Sequence, residues 1–180
     1  MHKYGIATAR AGVFSDSQAA RVFAEQLGGR CAVKADGLAL GKGVVLCSDI
    51  GEAHRAIDQI MVEKTFGQAG EQVVIQELLA CVEISLHALS DRKTARLLPT
   101  SQDHKAVWDG YRGPNTGGMG TFSPAPFLDA NGLARVGDQI LDPWLRGCAA
   151  EGIDFRGIIY PGLMLTRDGP KVLEFNARFG

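Results

Sequence analysis

The sequence predicts an α+β fold with mainly antiparallel sheets. Along its 180 residues the predicted elements run helix, strand, loop, strand, helix and strand, and then continue as hairpins with one further helix. A parallel α/β fold would instead alternate strands and helices throughout. Hydrophobic residues make up 46% of the chain, which is enough to fill a sizeable core in one domain with one or two lobes.

Three helices are predicted from apolar residues at helical spacing. The first begins with Ser15 as the cap of a capping box and ends at the glycines 28–29. The second is capped by Ser48. The third covers residues 128–150, and Pro143 is expected to break or kink it, because proline lacks the backbone N–H and clashes with the preceding turn.

Strands are predicted where short apolar or alternating runs are bounded by turn residues. The predicted strands cover residues 31–35, 44–47, 72–77, 83–90, 94–98, 157–166 and 171–178. The turns at 91–93 and 167–170 each close a hairpin. Residues 99–126 are predicted mostly as loop, and a loop of that length in a compact domain is usually functional or disordered.

The final strand carries a row of polar side chains. Successive side chains on a strand point to opposite faces. One face holds Leu173, Phe175 and Ala177, and the other holds Glu174, Asn176 and Arg178. Val172 is out of phase with this alternation. A carboxylate, a carboxamide and a guanidinium in one row suit Mg²⁺ and a phosphate or carboxylate. Alone, such a row is more typical of a solvated strand face.

A glycine-rich loop, residues 36–43, joins two predicted strands directly after Lys34. Glycines allow backbone N–H groups to close on an anion, and a lysine on each side supplies charge. The loop is not a Walker A motif, because only three residues separate its glycines and Gly43 follows the lysine. We interpret it as a flap over phosphates. An ordinary hairpin loop is the alternative.

A second glycine cluster occupies residues 114–120, shortly after the polar segment 102–105. Gly117, Gly118 and Gly120 leave little side chain over four positions, which permits close approach of the backbone to a ligand. His104 by itself is more typical of a surface or hydrogen-bonded histidine. The two segments together favour a binding loop.

Composition excludes several classes of partner. A net charge of −1 gives no reason to expect nucleic acid or an anionic membrane. The cysteines are scattered without a C-x-x-C pair, which favours free thiols in a reducing compartment. The sequence has no apolar run of 18 residues and no signal-peptide pattern, so a cytoplasmic location is expected.

Four segments in the same order resemble one family. Residues 34–43, 101–105, 113–126 and 174–180 resemble the ATP-grasp domain of phosphoribosylamine–glycine ligases, the glycinamide ribonucleotide synthetases. The resemblance spans nearly the whole chain. It implies an ATP-grasp fold of two lobes, residues 1–84 and 85–180, with ATP bound between them. It also implies ligation of glycine to 5-phosphoribosylamine through glycyl phosphate, in purine biosynthesis, with ATP and Mg²⁺ or Mn²⁺.

The resemblance also assigns roles to residues of this chain. Catalysis is implied for Lys34, at the ATP phosphates, and Arg178, at the transferring phosphate. Glu174 and Asn176 would hold the metal. The implied ATP contacts are Lys34, Gly37, Gly41, Lys42, Gly43, Gln76, Glu77, Leu79 and Glu83. Of these, residues 76–79 would form a hinge beside adenine and act through their backbone, and Glu83 would contact the ribose hydroxyls. The implied substrate contacts are Asp103, His104, Lys105, Asn115, Thr116, Gly117 and Gly118.

Several positions depart from the family pattern. Ala106 stands where the family has an arginine, and loss of a charged hydrogen bond typically costs roughly 1.5–3 kcal/mol. The other departures are Gln76, Val82, Trp108 and Tyr111. The family also has a further ATP-contacting lysine, and it has an N-terminal and a C-terminal domain, which would be partners of this chain. Two alternatives therefore stay open: an inactive nucleotide-binding fragment or remnant, and a related ligase for another carboxylate and amine.

Overall fold

The computed structural model describes residues 1–37, 43–110 and 112–180, with no side-chain description at positions 114 and 115. The chain forms two compact units, Ala9–Leu79 and Met1–Thr8 with Ala80–Gly180. The family resemblance implied a division after residue 84. Residues 1–8 and 80–84 belong here to the second, larger unit.

The smaller unit is a four-stranded antiparallel sheet with two helices. Its elements are β1 (Ala11–Phe14), α1 (Ser17–Gln26), β2 (Cys31–Ala35), β3 (Val44–Cys47), α2 (Ile50–Ile57) and β4 (Val73–Glu77). The strand order is β1–β4–β2–β3. A π-helical turn, Asp58–Val62, extends α2, and a 3-10 turn, Gly67–Gly70, precedes β4.

Both helices of the smaller unit are capped by aspartates. Asp16 accepts a hydrogen bond from the first turn of α1 at 2.7 Å, and Asp49 does the same for α2 at 2.8 Å. The predicted caps, Ser15 and Ser48, were wrong by one residue. A carboxylate accepts the free amides more strongly than a hydroxyl and also interacts with the helix dipole. Ser48 instead donates its backbone N–H and hydroxyl to Glu52.

One face of the smaller sheet is covered by the helices. Its strands contribute Cys31 and Val33 on β2, which lie opposite Cys47 on β3 and Ile75 on β4. All four are buried against α1 and α2. Lys34 is out of phase with these residues by one position and so lies on the opposite face of the sheet.

The larger unit is built around one long strand. Its strands are β5 (Val82–Ser85), β6 (Ala88–Ser90), β7 (Ala95–Leu97), β8 (Gln102–Asp103), β9 (Ala106–Trp108), β10 (Arg112–Asn115), β11 (Thr121–Phe122), β12 (Gly157–Thr166) and β13 (Gly169–Asn176). β12 pairs antiparallel with β13, β5 and β6, and β6 pairs with β7. Two small ladders, β9–β10 and β8–β11, complete the strands.

The helices of the larger unit form one run. α3 (Ala130–Val136) continues through a π-helical turn, Gly137–Leu141, into α4 (Asp142–Ala150). Pro143 does not break the run as predicted, because it lies in the first turn of α4, where its missing N–H is tolerated. A short 3-10 turn, His2–Tyr4, also belongs to this unit. In the described part of the chain, no helix has the length and apolarity needed to cross a membrane.

The α+β class with antiparallel sheets is confirmed, and so are the two predicted hairpins, β6–β7 and β12–β13. Two further predictions were wrong. The predicted strand 83–90 is interrupted at residues 86–87, and the predicted loop 99–126 contains the four short strands of the small ladders. Each of those strands is only two to four residues long, too short to give a periodic signal.

A β-bulge explains why Val172 is out of phase. Gly162 is opposite Glu174 and Leu163 is opposite Val172, so Leu173 is one extra residue on β13. A bulge of this kind shifts the alternation of side chains along the bulged strand. Val172 is fully buried beside Leu163 in the core under the helices, and Phe175 packs against the same core.

Replacing Leu163 with alanine is expected to lower the free energy of unfolding by about 2–5 kcal/mol, because its fully buried side chain leaves a cavity in the core. The matched control is Leu89→Ala, since Leu89 is 50% exposed and should change stability by no more than about 0.5 kcal/mol. Urea unfolding followed by circular dichroism measures both. Equal losses in the two variants would contradict the assignment of the core.

Candidate functional site

The larger unit carries a polar face on its central strands. Directly opposite residues in an antiparallel ladder lie on the same face of the sheet. Ser85, Gly162 and Glu174 lie in register across β5, β12 and β13, and Tyr160 lies opposite Asn176. The polar face is therefore made of Glu83, Ser85, Tyr160, Gly162, Glu174 and Asn176. The other face buries Ile84, Leu163 and Val172.

The predicted metal ligands lie together on this polar face. Asn176 donates its side-chain N–H to the carboxylate of Glu174 at 3.0 Å, which leaves its carbonyl oxygen as an acceptor. Gly162, opposite Glu174, leaves room for that side chain; a Cβ at this position would touch its Cγ at 3.7 Å.

Glu174 and Asn176 supply two neighbouring oxygen donors, which are too few to surround a hard cation by themselves. Among the described residues, no group of three or more histidine, cysteine, aspartate or glutamate side chains could hold a metal. Mg²⁺ is usually held by one or two carboxylates together with water and substrate phosphates, and not by a complete protein cage. The pair formed by Glu174 and Asn176 therefore fits Mg²⁺ that arrives with a phosphate-bearing ligand.

Arg178 follows this pair and lies beside Tyr160. Its guanidinium carbon is 5.7 Å from the centre of the Tyr160 ring, and its Nη1 donates to the backbone oxygen of Phe179 at 2.9 Å. The Tyr160 hydroxyl is 2.8 Å from the hydroxyl of Ser85, and the two share a hydrogen bond. Arg178 thus places a cation over Tyr160, the residue that lies opposite Asn176 in the ladder.

Glu83 and Lys105 form an ion pair at the edge of the polar face. Burial by itself lowers the pKa of Lys105, but the hydrogen bond and charge of Glu83 raise it above the usual value, with further contributions from Tyr160 and Glu174. The resemblance placed Glu83 at a ribose and Lys105 at a substrate. The structure brings them together, with one carboxylate oxygen of Glu83 bonded to Lys105.

The predicted substrate loop is fastened to the polar segment before it. Thr116 donates its backbone N–H and its hydroxyl to the carbonyl of Lys105, at 2.7 and 2.9 Å. The backbone of His104 exchanges hydrogen bonds with Met119 and Gly120. These bonds hold the loop in one place although residues 116–120 are all exposed.

Gly118 brings the loop against Asp103. Its φ of 126° is strained for any residue with a side chain, and a Cβ would lie 2.9 Å from a carboxylate oxygen of Asp103. Gly117 precedes it with open space around its Cα. For Asn115, only the backbone of β10 is described.

A cavity of about 330 Å³ lies beside the substrate loop. It is lined by Ser85, His87, Ser101, Asp103, Gly117, Gly118, Gly120, Thr121, Tyr160 and Gly180. Three of these, Ser85, His87 and Tyr160, were not singled out from the sequence. Their positions on β5, between β5 and β6, and on β12 bring them to the cavity, and their local sequence shows no motif that marks them.

His87 contacts both Tyr160 and the backbone of Gly180. Its ring stacks on Tyr160 with centres 4.4 Å apart and planes inclined by 24°. Its Nε2 accepts a hydrogen bond from the backbone N–H of Gly180 at 3.0 Å. Burial, followed by the nearby charge of Arg178, lowers the pKa of His87 below the usual value.

A second cavity of about 480 Å³ contains two departures from the family pattern. Ala106 and Trp108 line it together with His104, Val107, Asp109, Gly110 and Met119. The His104 ring stacks on Phe122 with centres 5.7 Å apart. Tyr111 lies outside the described residues. Where the family pattern has an arginine, this wall of the cavity has a methyl group.

The smaller unit holds the other predicted ATP contacts. Lys34 donates to the side-chain oxygen of Gln76 at 2.6 Å. Gln76 was expected to act through its backbone, but its side chain is 5% exposed and bonds Lys34. The carboxylate of Glu77 accepts from the backbone N–H of Arg10 at 3.2 Å. Leu79, partly buried, is the last residue of this unit.

The glycine-rich loop is described only at its two ends. The carbonyl of Gly43 accepts a hydrogen bond from Ala35 at 2.8 Å. A Cβ at Gly37 would lie 2.7 Å from the Cβ of Ala69, so this position requires glycine. Gly41 and Lys42 lie outside the described residues.

The two antiparallel units and the polar strand face define an ATP-grasp protein. The chain superimposes with a TM-score of 0.71 on the biotin carboxylase domain of a 2-oxoglutarate carboxylase from Hydrogenobacter thermophilus, solved with MgADP and bicarbonate, covering 99% of this chain and 38% of that one. At 16% identity, this likeness concerns the fold alone. The chain belongs to the family described as phosphoribosylglycinamide synthetase, ATP-grasp (A) domain, whose model matches residues 1–180.

Closer relatives agree with this family. A phosphoribosylamine–glycine ligase of Streptococcus pneumoniae is 47% identical over 180 residues, which are all of this chain and 43% of that protein. The crystal structure of a phosphoribosylamine–glycine ligase from Thermotoga maritima has a TM-score of 0.91 at 36% identity, over all of this chain and 46% of that one. The chain thus spans less than half the length of these relatives.

Replacing Arg178 with glutamine is expected to raise the pKa of His87, because a nearby cation is removed. The pKa of His87 in this variant should still stay below 6.5, because burial is the larger cause of its lowering. The imidazole of His87 binds a proton more readily in the unfolded chain than in the folded one. The free energy of unfolding should therefore fall as the pH drops below about 6.5. A pH titration of the imidazole protons by NMR measures the pKa, with Arg135→Gln, at an exposed position of α3, as the control. An unchanged pKa in R178Q would contradict the placement of Arg178.

Proposed function

We propose that this chain is the ATP-binding portion of a ligase that joins glycine to 5-phosphoribosylamine. The observation that carries the proposal is the match of residues 1–180 to a single family, with ligases of that name 47% identical over the whole chain. The product would be glycinamide ribonucleotide, with ADP and phosphate, in a cytoplasmic purine-synthesis step. The relatives' remaining length would supply the other domains as partners.

The nucleotide contacts we assign to the smaller unit centre on Lys34. Its ammonium would bind the phosphates of ATP, and Gln76 holds it in place through their 2.6 Å hydrogen bond. Gln76 is a neutral acceptor, so this contact adds no negative charge beside the ammonium of Lys34. The loop that includes Gly37, Gly41, Lys42 and Gly43 would close over the phosphates, and residues 76–79 would contact adenine.

The metal contacts we assign to the larger unit are Glu174 and Asn176, because their oxygen donors lie together on the polar face. Mg²⁺ bound there, or Mn²⁺ in its place, would neutralise phosphate charge. A fold relative solved with MgADP supports this pairing of nucleotide and metal. Arg178 would add a fixed cation beside the metal, where charge develops on the transferring phosphoryl group.

The proposed chemistry needs no protein nucleophile. A carboxylate oxygen of glycine attacks the γ-phosphorus of ATP, the bond to ADP breaks, and glycyl phosphate forms. The amine of phosphoribosylamine then attacks the carbonyl carbon, phosphate leaves and the amine loses a proton. The protein contributes by positioning and charge: Asp103, Lys105 and the loop 115–118 would hold the two substrates beside Arg178.

The missing arginine at position 106 favours one alternative, a chain that binds nucleotide without ligating. Ala106 removes a cation from the wall of the larger cavity. A mere binding protein would keep Lys34 and its Gln76 partner but would show no turnover. Turnover therefore distinguishes the two functions.

The full-length protein is expected to release phosphate from ATP only when both glycine and phosphoribosylamine are present. Glu174→Gln should lower kcat by at least about tenfold, because a neutral amide holds a divalent cation poorly. Glu63→Gln, an exposed glutamate of the smaller unit, is the control. A coupled phosphate assay measures the rates. Nucleotide binding without substrate-dependent turnover in the unmodified protein would sink the ligase proposal.

Lys34→Gln is expected to raise the KM for ATP by roughly ten- to hundredfold, since a charge-assisted contact to phosphate is lost. The matched control is Lys64→Gln, which removes an exposed lysine of the same unit. Steady-state kinetics at varied ATP concentration measure both variants. Equal KM values for K34Q and K64Q would argue against a phosphate contact at Lys34.

A further inference from the structure

His87 reaches the smaller cavity and is not used by the chemistry proposed above. Its ring lies against Tyr160 on one side, and Phe179 approaches it with ring centres 6.4 Å apart. Its Nε2 accepts the backbone N–H of Gly180 at 3.0 Å. An acceptor at Nε2 requires a neutral imidazole that carries its proton on Nδ1.

The contact with His87 is tight enough to require glycine at position 180. A Cβ at Gly180 would lie 2.9 Å from Nε2 of His87 and 3.0 Å from Cε1 of Tyr160. Any side chain at position 180 would therefore push the backbone away from the imidazole. The close approach therefore depends on glycine at position 180.

The segment that contains Arg178 is thus anchored at two points. Before it, Asn176 is paired with Tyr160 in the ladder of β12 and β13. After it, Gly180 is bonded to His87, whose ring rests on the same Tyr160. Tyr160 is in turn fixed by its hydrogen bond to Ser85. A short segment held at both ends leaves the side chain of Arg178 few positions.

We propose that His87 is a positioning residue that fixes Arg178 for phosphoryl transfer by holding the backbone N–H of Gly180. The proposal rests on the proposed function, because it takes Arg178 to act on the transferring phosphate. His87 itself touches neither nucleotide nor metal in this scheme. Its removal should therefore affect the rate of the chemical step and leave ATP affinity intact.

Three variants of the full-length protein separate the hydrogen bond from mere packing. His87→Phe keeps a flat ring on Tyr160 and removes the acceptor, whereas His87→Gln restores an acceptor near the position of Nε2. Gly180→Ala disturbs the same contact from the other side. His2→Phe, an exposed histidine in the same unit, is the control. Rates, thermal unfolding and hydrogen exchange of peptides containing Gly180 are measured for each.

H87F is expected to lose about three- to tenfold in kcat, with an unchanged KM for ATP and faster hydrogen exchange at Gly180. In H87Q, both kcat and the exchange rate should return towards those of the unmodified protein. The H87F/G180A double variant should lose little more than either single variant. Unchanged kcat in H87F, equal loss in H87F and H87Q, or unchanged exchange at Gly180 would overturn the proposal. If the unmodified protein lacks turnover, the ligase proposal fails instead, and exchange at Gly180 still tests the contact.

Discussion

The pairing of β12 with β5 and β13 is the constraint on which the larger unit depends. It places Leu163 and Val172 in a buried layer under α3 and α4, while Gly162 and Glu174, one register step away, face the other side. A register shift of one residue would bury Glu174 unpaired and expose the core, and either change is costly. The apolar core therefore determines where the polar face lies.

The polar face is stabilised by contacts among its own members. Glu83 is paired with Lys105, Asn176 with Glu174, and Ser85 with Tyr160. Each contact satisfies a polar group that a ligand could also bind, so the face is ordered before any ligand arrives. Such preorganisation lowers the cost of binding and suits a reaction in which the protein provides position and charge.

The sequence predicted the elements well where its patterns were long. The alternation in β13 and the turn before it indicated the hairpin, and the glycine cluster at 114–120 indicated the loop that follows β10. Val172 could not be explained, because a bulge at Leu173 depends on pairing with β12. His87 and the side chain of Gln76 were missed for a similar reason: their partners, Gly180 and Lys34, lie 93 and 42 residues away in the chain.

The central claim is that this polar strand face binds a metal together with the nucleotide. Its most direct test is a crystal structure of the full-length protein with Mn²⁺ and a non-hydrolysable ATP analogue, recorded at the manganese absorption edge. We predict an anomalous peak within about 2.0–2.3 Å of the carboxylate of Glu174 and the carbonyl oxygen of Asn176. Bound nucleotide with manganese elsewhere, and neither residue among its ligands, would contradict the claim.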